Sequence, residues 1–473
     1  MTSDGRPRAI EKFRCERRES NPHVRGHRDL NPARLPFRHA RVRVNGSGAP
    51  VPCGGPGTGH APMAQTTATL AAPTAPPPGR LGYQPALDGV RALAISLVVL
   101  FHYPWGNRFY GANPVHGGFL GVDAFFVLSG FLITTLLLQE HAALGALSLR
   151  RFYARRALRL LPALGVLVGI AVILHFTLAR GNGNRPTALG FFGMIFYVAN
   201  WVEIYRPGAL ALFSHTWSLA IEEQFYLVWP VILMLLLRRR LRLGAIAVLT
   251  AGGIVAAAVW RAWYWHSHFG HRAFLDYYLA LTNHVGTTEP GALDHRTLVW
   301  NRWYFGSDTR ADALLAGCLT AIVLVWLLPR LGARARTRLS AAAGLALVGC
   351  GIIVWRAVVV LSGWLPVWGI LALELGVSVL IAGLVAAPRG PLARLFGLAP
   401  LAWLGRRSYA VYLFHTVVFE YCGRSHVHLS PPLSFTFQIV VVLAVAELSF
   451  RLVEAPMLRR KRHFEPAAPS PST

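Results

Sequence analysis

Charge is scarce in this sequence. Only 14% of its 473 residues are Asp, Glu, Lys or Arg, while 54% are hydrophobic; a soluble chain carries about a quarter charged. That balance excludes an ordinary water-soluble protein and points to an integral membrane one. Lysine is nearly missing, standing only at positions 12 and 461, so the basic charge is arginine. Acids are few as well, 21 against 47 basic residues, and a net charge of +26 would suggest nucleic acid on a soluble chain. Placement excludes that partner. Arginine clusters at the ends of apolar runs, at Arg238 to Arg242, Arg330 to Arg338 and Arg459 to Arg462, as it does in cytoplasmic loops. Cysteine is sparse and odd in number, at positions 15, 53, 318, 350 and 422 without any Cys-x-x-Cys spacing. This excludes a disulfide framework and a cysteine zinc site.

What the chain has in quantity is apolar runs. Residues 1–80 contain none and are rich in Arg, Pro, Gly and Ser, which predicts a disordered cytoplasmic tail with no signal-peptide core. Met63 opens a simpler leader, so residues 1–62 fit an over-extended gene start. From residue 87 onward eleven stretches have membrane length: 87–106, 118–138, 160–179, 187–204, 217–237, 243–263, 311–329, 339–361, 364–386, 400–422 and 433–453. The charge rule places the Arg-rich segments 150–159, 238–242, 330–338, 389–394 and the tail after 459 inside. Between the first two of these the chain must cross an even number of times, yet three stretches lie there. The stretch 187–204, with Asn200, Trp201 and Glu203, suits an interface. The expected fold is therefore all-α and integral to the membrane. It has about ten crossings plus one re-entrant or interfacial segment, a membrane domain over 81–460 and a short disordered tail over 461–473, with both termini inside.

The remaining signals are polar groups where lipid is expected. In LDGVRALAISLVVLFH (Leu87 to His102) a charged residue at mid-span would cost on the order of 3 kcal/mol, so such residues are usually kept for a task. On a helix, Arg91 and His102 differ by roughly 20° of rotation and about 16 Å of rise, and Asp88 lies about 40° from the histidine. All three share a face and are expected to line one cavity. The second stretch carries Asp123 and Ser129, the latter suited to bonding a neighbouring helix. RRFYARRALRLLP (Arg150 to Pro162) puts Arg151, Arg155 and Arg159 at four-residue steps, with Arg156 beside them, giving one basic face. That face marks topology or clamps the phosphates of a nucleotide-linked donor. HTWSLAIEEQFYLVWP (His215 to Pro230) places Glu222 and Glu223 in an apolar run, where either would pair with Arg91 or orient His102. The segment from about 264 to 310 is expected to be a long external loop. Its histidines at 266, 268, 271, 284 and 295 lack carboxylates or Cys in ligand register, so no metal is expected. Trp300, Trp303 and Tyr304 are available for stacking on a sugar or for the membrane interface.

Further polar segments are DTRADALLAGCLTA with Asp308, Arg310 and Asp312, WLGRRSYAVYLFH with Ser408, Tyr409, Tyr412 and His415, and FRLVEAPMLRR with Glu454. Taken in order over residues 84 to 460, these stretches resemble acyltransferase family three, bacterial integral-membrane O-acyltransferases. The resemblance implies a ten-helix fold that moves an acyl group, most often acetyl, from acyl-coenzyme A to a hydroxyl of a glycan, lipid-linked sugar or secondary metabolite. It implies an essential pair at Arg91 and His102, an Arg-x-x-Arg element at Arg156 and Arg159, an acidic position at Glu222, and motif positions at Asp123, Ser129, Tyr409 and His415. Many members add a C-terminal serine-hydrolase-like domain. This sequence ends at Thr473 in a Pro-rich tail, which favours direct transfer.

The expected mechanism has neutral His102 as general base on the acceptor hydroxyl. Arg91 binds donor phosphate or steadies the oxyanion, Arg155, Arg156 and Arg159 hold the nucleotide end, and Glu222 orients His102 or balances Arg91. Asp88, Asp123, Ser129, Glu223, Arg310, Tyr409 and His415 support them. The rival reading is a transporter or flippase for a glycan or lipid, although the first-half motifs do not recur in the second half. The expected location is the bacterial cytoplasmic membrane.

Overall fold

In lipid a backbone must satisfy its own polar groups, so an apolar chain of this kind folds as helices. The computed structural model describes residues 82–104, 115–178, 183–268, 295–357, 364–423 and 429–460. The two expected tails, His271 and His284 lie outside the described residues. No strand occurs among the described residues. The helices are α1 (Pro85–His102), α2 (Gly121–Leu144), α3 (Leu149–Thr177), α4 (Ala188–Ile195), α5 (Ala199–Tyr205), α6 (Trp217–Arg238), α7 (Leu243–His268), α8 (His295–Phe305), α9 (Ala311–Leu327), α10 (Ala333–Arg356), α11 (Ile370–Ala386), α12 (Pro391–Phe396), α13 (Ala399–Gly423), α14 (Pro431–Ser449) and α15 (Ala455–Arg460). All described residues belong to one unit of the chain.

Eight helices among the described residues are long and apolar enough to cross a membrane: α1, α2, α3, α6, α7, α9, α10 and α14. Beside them run α11, of 17 residues, and α13, of 25 residues, which carries Arg406, Arg407 and Glu420. The fourth apolar stretch is interrupted. Residues 187–204 form α4 and α5, of 8 and 7 residues, each roughly 12 Å long and too short to cross. Thr187 starts α4 by accepting a hydrogen bond from the Gly190 N–H at 3.2 Å. The break between the two helices is tied down from α6 and from the segment after α8. Asn200 donates to the Phe305 carbonyl at 3.1 Å and to Ser307 at 2.9 Å, Gln224 donates to Asn200 at 2.9 Å, and Ser307 donates to Gln224 at 2.6 Å. The three side chains close a ring.

The segment expected to be one long loop is partly helical. His266 and His268 end α7, and Trp300, Trp303 and Tyr304 lie on α8. Aromatic residues on half of its turns gave α8 an apolar face to bury, and Trp303 is buried. Conversely, the basic segment 150–159 is no separate loop: it forms the first turns of α3, capped by Ser148.

Glycines set the closest approaches and with them the helix directions. A Cβ on Gly130 of α2 would sit 1.9 Å from the Leu314 carbonyl oxygen, and one on Gly317 of α9 would sit 1.9 Å from that of Val127. Only glycine lets these backbones meet. Asp123 pairs with Arg310 at the same helices' N-terminal ends, so α2 and α9 run parallel. Gly405 of α13 likewise admits the Asp88 backbone of α1, while at the other end His102 meets His415. Those two helices are parallel as well.

Candidate active site

Helix α1 stops at His102 because Tyr103 turns to extended backbone (φ −64, ψ 131) ahead of Pro104, which disfavours helix in the residue before it. The ring of His102 folds back one turn, placing Nδ1 2.9 Å from the Val98 carbonyl oxygen. A carbonyl only accepts, so Nδ1 carries the proton and, in the neutral ring, Nε2 keeps its lone pair. His102 is exposed, and it lines a cavity of about 500 Å³ together with His215, Trp217, Trp300, Tyr304 and Tyr412.

Two more imidazoles stand behind it. His415 of α13 lies 5.0 Å from His102, ring centre to ring centre, and His215, on the turn Ala211–Thr216 before α6, lies 5.4 Å from His415. His415 directs Nδ1 at the Tyr412 carbonyl, 2.8 Å away, and His215 directs its own at the Leu212 carbonyl, 3.2 Å away. The Tyr412 hydroxyl donates to the His215 carbonyl at 2.7 Å and meets the Ser218 hydroxyl at 2.5 Å, locking α13 to the start of α6.

Polar groups of a different kind gather toward the other end of α1. Arg91 donates to Asp88 at 2.9 Å, and Asp88 also accepts from Tyr83 at 2.7 Å. The electrostatic neighbours of Arg159 include Arg91, Arg156, Tyr226 and Glu454. Arg156 lies over the Tyr226 ring, 4.0 Å from its centre. Glu222 accepts from Ser129 at 2.8 Å and from Tyr226 at 3.4 Å, and Glu223 faces Arg156 and Arg159. Tyr409 donates to the Leu160 carbonyl at 3.1 Å and has Glu222, Glu223 and Glu454 as electrostatic neighbours. Arg156 and Arg159 of α3 thus meet the acidic residues of α6, and Arg159 also meets Glu454 of the turn Phe450–Glu454, while Arg91 of α1 stands beside Arg159.

A third group fills the interior between α2, α7, α9 and α11. Arg310 reaches Asp123 at 2.9 Å and Arg261 reaches Asp312 at 2.5 Å, with Glu374 at 3.7 Å, all five side chains being buried. Arg310 also donates to the Tyr304 carbonyl at 3.0 Å and lies 4.7 Å from the centre of that ring. It thereby supports the aromatic wall of the cavity.

Several sequence-based placements change. Arg91, Asp88 and His102 do not line one cavity: they share an angle on α1, but the rise between them puts the acid–base pair and the imidazole at different levels. Glu222 pairs with neither Arg91 nor His102, since the Ser129 hydroxyl of α2 and Tyr226, one turn further along α6 itself, lie nearer. Arg155 turns to Glu140, 2.8 Å away, and stands apart from Arg156 and Arg159. Ser129 bonds a neighbouring helix as expected. Sequence reading assigned no role to His215, Arg261 or Glu374. For the last two a signal was present, a single charge in each of the stretches 243–263 and 364–386. For His215, only its place beside the two glutamates marked it.

Comparison with known proteins agrees with the arrangement of motifs. The chain is 31% identical over 404 residues to the peptidoglycan O-acetyltransferase OatA of Listeria monocytogenes, covering 81% of this chain and 56% of that protein. It is 30% identical over 400 residues to the O-acetyltransferase OatA of Staphylococcus aureus, covering 81% and 58%. It therefore spans a little over half the length of these relatives. No solved structure matches it. A family model described as an acyltransferase domain, that of acyltransferase family three, matches residues 84–450, and the chain belongs to this family.

Proposed function

We propose that the protein is a membrane O-acyltransferase that takes an acyl group, acetyl in the simplest case, from acyl-CoA and places it on a hydroxyl of a cell-envelope glycan. Family membership and relatives named as O-acetyltransferases support the reaction class. One observation carries the reading furthest: the His102 lone pair lies at the wall of a cavity of about 500 Å³ that is otherwise largely aromatic. A neutral imidazole with one nitrogen fixed and the other available is what a general base requires. Aromatic walls with a few hydroxyls and the Glu420 carboxylate suit a sugar ring, which offers C–H faces and hydroxyl edges.

The basic clusters give the direction. Arg238, Arg330, Arg334 and Arg459 stand at or near helix ends, and in this reading the charge rule puts those ends, with the N-terminus of α1, on the cytoplasmic side. His102 and its cavity then belong to the outer half. In this reading Arg91, Arg156 and Arg159 receive the phosphates of acyl-CoA from the cytoplasmic side. The thioester arm extends along α1 for about 16 Å, the rise from Arg91 to His102. His102 Nε2 takes the acceptor proton as the hydroxyl oxygen attacks the thioester carbonyl. The carbon–sulfur bond then breaks, and the departing thiolate receives the proton back.

The test is thioester consumption by the purified protein with acetyl-CoA and a glycan acceptor. Transfer by the wild type and its loss in His102→Ala, with the variant still inserted and still binding donor, is the expected result. Near-normal transfer by the variant would overturn the role of His102, and an untouched thioester with substrate moved across vesicles would indicate a carrier.

A further inference from the structure

A base must dispose of the charge that it acquires, and hydrolases commonly hold a carboxylate against the imidazole for this purpose. Here no carboxylate hydrogen-bonds to His102 among the described residues. Glu222 is held by Ser129 and Tyr226, and Glu420, which lines the same cavity, accepts from Asn184 at 2.5 Å. What stands beside His102 is His415, and beyond it His215. All three rings point Nδ1 at a backbone carbonyl, of Val98, Tyr412 and Leu212, so His102 and His415 keep the Nε2 lone pair in the neutral state, while His215 Nδ1 also meets the Thr416 hydroxyl at 3.2 Å. The Nε2 atoms of His415 and His215 are buried and have no hydrogen-bond partner. The adjacent Nε2 lone pairs of His102 and His415, the latter buried and unanswered, are an arrangement that one added proton bridges.

We propose that His415, backed by His215, is a positioning residue for acyl transfer, accepting a hydrogen bond from His102 once His102 has taken the acceptor proton. The proposal rests on the acyltransferase reading above. In the step, the acceptor O–H bond breaks and a His102 Nε2–H bond forms. That new donor meets the lone pair of the adjacent ring, so one proton is shared by two imidazoles until the thiolate reclaims it. His215 supplies the next lone pair and lines the cavity itself. The titratable groups facing the cluster are His102 from α1, His215 from the turn before α6, Tyr304 from α8, and Tyr412 and Glu420 from α13 itself. Of these side-chain types, imidazole is the one whose unperturbed pKa lies near neutrality.

The experiment uses the full chain, purified in detergent, with acetyl-CoA as donor. His415→Ala is expected to lower kcat ten- to a hundredfold, leave the KM for acetyl-CoA unchanged, and move the acid limb of the pH–rate profile. His415→Gln, which accepts a hydrogen bond but no proton, is expected to recover part of kcat. Histidine-labelled protein followed by nitrogen NMR provides a readout without turnover: the cluster should take up one proton over the range in which a single histidine titrates. A kcat within twofold of wild type in His415→Ala, with the acid limb unmoved, would overturn the proposal. So would three rings that each take up a proton independently. A wild type that never consumes acetyl-CoA would instead refute the acyltransferase reading, while the NMR titration would still decide whether the cluster shares a proton.

Discussion

At its last turn α1 presents a neutral ring fixed by a backbone carbonyl and flanked by two further rings. In its first turns it presents an acid–base pair among guanidiniums and carboxylates drawn from α3, α6 and the turn after α14. Both groups lie within apolar surroundings, yet they meet that condition oppositely. The imidazole end keeps formal charge away and leaves lone pairs available, which suits proton transfer. The guanidinium end concentrates charge and balances much of it internally, which suits an anionic ligand that adds to the balance. In the proposed reaction a single helix thus separates the acid–base part from the part that holds a charged donor.

This contrast can be broken by substitution at either end. The largest effect is expected from His102→Ala, a loss of about a hundred- to ten-thousand-fold in kcat with donor affinity retained; a variant that loses donor affinity instead would merge the two regions. Arg159→Ala should do the reverse, raising the KM for acyl-CoA roughly ten- to a hundredfold, as expected for a lost charge-assisted contact, with kcat changed far less. Equal falls in kcat for both variants would argue against separate roles. Ser129→Ala removes one donor from Glu222 and should cost about 1–3 kcal/mol of stability, by leaving a buried acceptor short of a partner. Thermal unfolding in detergent reads this directly.

The smallest effect is expected outside the membrane-spanning helices, at Asp308. Its carboxyl is partly buried, which raises its pKa, but the paired donors of Arg302 at 2.6 Å and the Trp260 indole at 2.7 Å outweigh burial and hold it below the ordinary carboxylate value. A depressed carboxylate stabilises the fold above its unfolded pKa, and that contribution is lost as pH falls through the folded one. Because the carboxylate is more than a third exposed, Asp308→Asn should cost no more than about 1 kcal/mol at neutral pH. The gap from wild type should close below about pH 4. A gap that persists in acid would mean that the residue acts through shape, not charge.

Much of the fold was legible because lipid leaves few choices. Apolar stretches of membrane length became helices, and the odd one among them, 187–204, which charge parity together with Asn200, Trp201 and Glu203 singles out in the sequence, is broken at Phe196 to Val198. The candidate site was legible in its members but less so in their grouping. A helical wheel gives the angle between Arg91 and His102 correctly and says little about the consequence of a 16 Å rise. Partners across helices are beyond local pattern: His102 and His415 meet at a separation of 313 positions and Glu222 and Ser129 at one of 93, counted along the chain. Whether a glutamate turns to a serine, a tyrosine or an arginine depends on helix rotation, which neither hydropathy nor spacing encodes. The interior network of Arg261, Asp312 and Glu374 shows the same limit, each charge being visible alone and its partner not.

The ring formed by Asn200, Gln224 and Ser307 has a consequence for access to the cavity. Each of these side chains serves as both giver and receiver for another, so sliding any one strands its fellows without water to replace them. The break before α5, the upper part of α6 and the corner beyond α8 are thereby riveted into one block, and the aromatic wall built on α8 is anchored to it. Under the proposed function, any widening that admits the glycan acceptor would therefore fall to the opposite side, where α1 and α13 bear the histidines, and the proposed chemical groups would ride on the moving door.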